Sequence, residues 1–69
     1  MSRYHLRKEA AKNIRELRIR ADLTQEEAAD HSGFHYKYYQ KIESGTVNLT
    51  LDSIEKLAKV FGVHPKRLF

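Results

Sequence analysis

The chain reads as all-α, a compact bundle of five helices, on three observations. Apolar residues recur at steps of three and four, the period of a half-buried helix. No stretch shows the strict alternation of a strand that buries one face. Residues suited to opening or closing helices, Thr24, Gly33, Gly45, Thr50 and Gly62, punctuate the chain at the points where those periods break. At 69 residues there is room for one domain over residues 1–69 and one small core, because chains this short bury only ~60% of the surface they expose when unfolded.

Leu6, Ala10, Ile14, Leu17 and Ala21 lie along one stripe and predict a first helix over about residues 5–21, with a face rich in Arg and Lys opposite. Thr24 and Glu27 then form a capping box, in which hydroxyl and carboxylate each satisfy a backbone donor left over at a helix start. The second helix is expected from Gln25 to about His31, and small Ala28 and Ala29 let another helix cross it closely. Ser32-Gly33 breaks the pattern, since glycine enters a left-handed turn without steric cost. A third helix follows from about Tyr36 to Ser44, stopped by Gly45, with Tyr39 and Ile42 facing inward beside Phe34. Thr46 to Leu49 form a loop. Thr50 caps a fourth helix that places Leu51, Ile54, Leu57, Ala58 and Phe61 on one face, Gly62 ends it, and Pro65 suits the first turn of a short fifth helix.

The net charge of +4 is distributed unevenly. Residues 1–20 carry seven basic and two acidic side chains, whereas residues 21–34 carry Asp22, Glu26, Glu27 and Asp30 and no Lys or Arg. From Tyr36 the balance turns basic again, which fits a folded object with one cationic face as well as an ordinary basic surface. The absence of cysteine removes disulfides and thiolate zinc sites and fits a reducing cytoplasm. No apolar run could span a bilayer, and the opening Met-Ser-Arg-Tyr-His lacks the apolar stretch of a signal peptide. A soluble, cytoplasmic protein without a membrane segment is the expectation. His5, His31, His35 and His64 offer no pair at ligand spacing within one helix, so no metal is expected. Asp30, His35 and Ser44 carry no nucleophile-loop signature, and a core this small leaves no deep cleft, so no catalytic set, cofactor or small-molecule effector is expected either.

Two short helices joined by a tight turn at Gly33, over residues 24–45, have the pattern of a DNA-reading helix-turn-helix. Leu23-Thr24-Gln25-Glu26-Glu27, Ser32-Gly33-Phe34, Ile42-Glu43-Ser44-Gly45 and Leu57-Ala58-Lys59-Val60-Phe61-Gly62-Val63 occur in order and at the right spacing. Together they resemble the Cro/repressor-type, or XRE-like, helix-turn-helix family of transcriptional regulators over roughly residues 7–69. That resemblance implies a lambda-repressor-like fold, a third helix (about 36–44) in the major groove of double-stranded DNA, and homodimers on inverted repeats. In length the chain is similar to the controller-type members of the family.

By position, the resemblance places base contacts on Tyr36, Lys37 and Lys41. Lys37 and Lys41 are one turn apart and share a side; a lysine can donate to guanine, and a tyrosine can meet a thymine methyl or a phosphate. Gln25 is implied as a phosphate contact that also braces the reader. Tyr38, with an apolar body and a polar tip, Gln40, and Ser44, Thr46 and Asn48 of the following loop are the remaining phosphate candidates. Arg18 and Glu43 occupy positions that form a partly buried ion pair in relatives, the alternative being an Arg18 free to touch phosphate. The apolar tail, with Val63, Leu68 and Phe69, is the candidate dimer contact, unless it only closes the core. The chain departs from the family pattern at His35, a poorer N-cap than the usual Ser or Thr. It departs again at Ala28, where the family's leucine is replaced and the larger Phe34 and Tyr39 are expected to fill the vacated volume. A protein-interaction module, such as an antitoxin or an anti-repressor partner built on the same fold, is the alternative function.

Overall fold

A computed structural model describes residues 4–69, with side chains from Leu6 onward. The expected single domain over residues 1–69 includes Met1, Ser2 and Arg3, which lie outside the described residues, as does the side chain of His5. Four α-helices follow in order: α1 Tyr4–Arg20, α2 Gln25–Ser32, α3 Tyr36–Ser44 and α4 Leu51–Phe61. The fifth expected helix is instead one 3-10 turn, Pro65–Leu68. Its hydrogen bonds run from Arg67 N to the His64 carbonyl and from Phe69 N to the Lys66 carbonyl, spanning three residues, the tighter pattern typical of such short segments.

Local chemistry explains where the helices begin and end. The Thr24 hydroxyl accepts from Glu27 N at 3.0 Å while the Glu27 carboxylate accepts from Thr24 N at 2.8 Å, so both arms of the capping box are made. The backbone bond from Thr24 also holds the Glu27 carboxyl below its ordinary range. At the other end of α2, Gly33 adopts φ +77°, and Phe34 N reaches back to the Ala29 carbonyl at 2.9 Å. This reversal turns the chain from α2 into α3. Helix α3 starts differently: His35 has the extended backbone of an N-cap, but its side chain makes no capping bond.

The core unites Ile14 and Leu17 of α1, Ala28 and Ala29 of α2, Tyr39 and Ile42 of α3, and Ile54, Leu57 and Ala58 of α4 with Leu68. Tyr39 and Ala28 are both fully buried in this cluster, and Phe34 packs against it. Helix α3 therefore lies on α1 and α2, and α4 with the 3-10 turn closes the bundle.

Leu68 has no exposed surface and is part of the core, so it is unavailable as a dimer contact. Val63 is half-buried against the same core, whereas Phe69 is 54% exposed. Three residues expected on buried stripes are also outside. Leu6 is 57% and Leu51 82% exposed, and Ala21 lies exposed in the turn after α1. Leu6 and Leu51 lie in the first turns of α1 and α4, where the stripe continues but is left largely uncovered among the described residues. With Phe69, Val47 and Leu49 they border an apolar groove floored by Ala10, Ile42 and Ile54.

Candidate nucleic-acid interface

Helix α3 is divided lengthwise by its own sequence. Tyr39, Ile42 and Glu43 are buried, while Tyr36, Lys37, Gln40, Lys41 and Ser44 are exposed. Lys37, Gln40, Lys41 and Ser44 line one shallow surface depression, a polar strip carrying two cations and an amide. Tyr36 stands at the start of the helix, 42% exposed. Nothing among the described residues pairs with the Lys37 or Lys41 ammonium, so both charges face solvent along this strip. A strip of this kind can donate to base edges and neutralise phosphates.

The phosphate candidates divide into two groups. Gln40 and Asn48 are exposed. The others already have partners inside the protein. The Ser44 hydroxyl donates to the Lys41 carbonyl and lies 2.8 Å from Thr46 Oγ1, which itself reaches the same carbonyl at 3.4 Å. These bonds close the last turn of α3 and shape the loop that follows. Tyr38 is half-buried, edge-on to Phe34 at 5.3 Å between ring centroids, with its hydroxyl 3.4 Å from Ser53 Oγ on α4. Gln25 turns its amide nitrogen to Glu43 Oε1 at 3.1 Å.

Glu43 is the centre of the site's internal face. Only 3% exposed, its carboxylate accepts from Arg18 Nε at 2.7 Å and Arg18 Nη2 at 3.2 Å. It also accepts from Gln25 and from the Tyr39 hydroxyl at 2.5 Å. Arg18 Nη1 donates in turn to the Leu23 carbonyl at 2.9 Å, so the guanidinium is committed inside the fold. Burial alone would raise the Glu43 carboxyl above its usual range, but the bonds from Arg18, Tyr39 and Gln25 outweigh it and hold the group low. The bond to Glu43 raises Arg18, and burial followed by the same carboxylate raises Tyr39. At neutral pH the cluster is therefore a carboxylate, a guanidinium and a neutral phenol. It ties α1, the start of α2 and α3 together behind the exposed strip.

The family resemblance supplied the pairing of Arg18 with Glu43 and a bracing role for Gln25, but not the three bonds to Glu43 from Tyr39, Gln25 and Arg15. The Tyr39 bond was findable, because residues 39 and 43 are one helical turn apart. The Gln25 bond and the donation from Arg15 Nη2 to the Glu43 carbonyl at 2.9 Å link residues far apart in the chain, and no local spacing announces them. The Arg15 contact places a cation at the C-terminal end of α3, where a helix dipole favours one. Gly45 completes that end. Its φ of +75° strains any other residue, and a Cβ there would meet the backbone of Lys8 on α1 at 3.4 Å.

The sequence model of the helix-turn-helix family matches residues 14–68. Control protein C.BamHI of Bacillus amyloliquefaciens is 41% identical over 56 residues, covering 80% of this chain and 69% of its own length. The cryptic phage CTXphi transcriptional repressor RstR of Vibrio cholerae is 46% identical over 50 residues, 72% of this chain but only 45% of that protein. Among solved structures, the restriction-modification controller protein C.AhdI from Aeromonas hydrophila superposes with a TM-score of 0.87 at 37% identity, covering 94% of this chain and 97% of that one.

Proposed function

This chain belongs to the XRE-type helix-turn-helix family of DNA-binding transcriptional regulators, and on that premise we propose that it reads double-stranded DNA in the major groove through α3, as a homodimer on an inverted repeat. The family regulates transcription and is not one of enzymes. The observation that carries the reading is the division of α3. Its outward strip holds Lys37, Gln40 and Lys41 free for contacts, while its inward side is locked by Glu43 and Tyr39. A reader needs both properties, because base contacts specify only when the helix bearing them is held at one angle.

Lys37, Lys41 and Tyr36 are the proposed base contacts. Gln40, Asn48, Ser44 and Thr46, with the amide of Gln25, are the proposed phosphate contacts, and Tyr38 contributes through packing first. The exposed apolar face of Leu6, Leu51 and Phe69 supports pairing with a second copy. It takes the place of the tail contact that buried Leu68 cannot make. Two readers set about one helical turn apart raise each other's effective concentration on the operator, which a single small module needs for specific affinity. A cytoplasmic site of action and one domain over residues 1–69 go with this reading. Two of the similar proteins are control or controller proteins and one is a phage transcriptional repressor, and the genes controlled here follow from the operator.

Selection of duplexes from a random pool, followed by titration of the winner and a scrambled duplex at several salt concentrations, tests the proposal. An inverted-repeat winner bound ~10³-fold or more over the scramble is expected. Equal and steeply salt-dependent binding to both duplexes would mean that only phosphates are held, and would favour a protein-partner role. Replacing Lys37 by Ala separates the contacts further: preference is expected to relax at one base position, at a cost of ~1–3 kcal/mol, rather than fall alike on every sequence.

A further inference from the structure

We propose that Tyr39 is a positioning residue for DNA binding, acting through Glu43 on Gln25. This rests on the reading of Gln25 as a phosphate contact.

One carboxylate collects four hydrogen bonds from three side chains. Glu43 Oε2 receives Arg18 Nε and the Tyr39 hydroxyl; Oε1 receives Arg18 Nη2 and the Gln25 amide. A carboxylate only accepts, so Gln25 must turn its NH2 end toward Glu43. One amide N–H is thereby used, and the other remains for a phosphate oxygen, which also only accepts. The carboxylate thus selects one of the two flip states of the Gln25 amide and fixes its N–H relative to α3. With Arg18 alone the flip state stands but the position of Oε1 is soft, because a guanidinium follows a carboxylate that rocks in its plane. Tyr39 removes that freedom. Its ring is fully buried between the helices, and its hydroxyl sits 2.5 Å from Oε2, the oxygen away from Gln25. Because Tyr39 and Glu43 are on α3 and Gln25 opens α2, the chain of bonds sets the spacing of the two contact elements. The aromatic at position 39 therefore does more than fill volume beside Ala28: its oxygen reaches the DNA-facing amide through one intermediary.

Tyr39→Phe keeps the ring and removes only the oxygen. In the free protein, NMR of the side-chain amides reads the link directly, with exposed Gln40 as internal reference. In the wild-type chain the Gln25 amide pair is expected to be shifted and protected from exchange relative to that of Gln40, and in Tyr39→Phe to move toward it. A wild-type Gln25 pair indistinguishable from Gln40, or one that Tyr39→Phe leaves unmoved, would overturn the proposal. On DNA, Tyr39→Phe is expected to weaken binding on the order of tenfold, the size of one hydrogen bond to a charged group. The loss should be alike on the selected and scrambled duplexes and leave the salt slope unchanged, since no cation is removed. In a Gln25→Ala background the same substitution should cost nothing more; an undiminished loss there would make Tyr39 merely structural. A wild-type chain that binds no duplex would sink the DNA-reading function, while the NMR comparison would still decide the Tyr39 link.

Discussion

The two helices of the motif are placed by different means. Helix α2 carries its own instructions: Thr24 and Glu27 make a complete capping box at its start, and Gly33 turns the chain out of it. Helix α3 begins at His35 without a side-chain cap and is held from the side by the bonds that converge on Glu43. The helix whose boundaries are secured locally braces the reader, and the helix that presents the contact strip depends on its neighbours for orientation. An orientation set by side chains from α1 and α2 makes the reading angle a property of the whole bundle.

The largest effect should come from breaking the tertiary hold on α3. Glu43→Ala leaves Arg18 and Tyr39 without their acceptor in a nearly closed site, a loss of ~3–5 kcal/mol for a buried pair deprived of one partner. A domain of this size has only ~3–10 kcal/mol of stability in total. Urea denaturation should therefore show a chain close to unfolding, and a change below 1 kcal/mol would mean that packing alone holds α3.

Acid tests the same hold without mutation. The Glu43 carboxyl is held below its unfolded value, so its stabilising contribution is fully present above about pH 4.3, the ordinary glutamate value. It is lost as pH falls through the depressed folded value. Thermal melts between pH 7 and pH 2 should show a drop in Tm below pH 4 that is smaller in Glu43→Gln; parallel curves for the two proteins would remove Glu43 as its source.

The local device of α2 should be worth less. Thr24→Ala is expected to cost ~1 kcal/mol, the usual price of an N-cap. Calorimetry would show whether the loss is that small or approaches that of Glu43→Ala, in which case the contrast between the helices fails. The smallest effect has the opposite sign. His35→Ser supplies the hydroxyl that α3 lacks, and the extended backbone of residue 35 already suits a cap, so a gain of about 0.5–1 kcal/mol is expected. No gain would show that the tertiary contacts already satisfy the first turn.

Much of this arrangement was legible along the chain because its causes are local. The expected second helix from Gln25 to about His31 is Gln25–Ser32 in the fold, and the expected third, from about Tyr36 to Ser44, has those ends. The inward stripe of Tyr39 and Ile42 followed from helical period alone. The misplaced residues share a different cause. Leu6 and Leu51 obey the period of their helices yet are largely exposed, and Leu68, expected either at a dimer contact or closing the core, is sealed in the core. Periodicity reports which side of a helix a residue is on, but not whether another element reaches that far.

What the sequence alone determined was set within about one helical turn: the caps of α2 and α4, the glycine reversals, the all-α class and the division of α3 into inward and outward sides. The tertiary structure decided which apolar side chains are covered, and it brought Gln25, Arg15 and Arg18 onto Glu43 from positions 18 to 28 residues away. The physical reason is range. Backbone capping and side-chain period act between neighbours in the chain, whereas a buried carboxylate collects whichever donors the packing of three helices delivers to it.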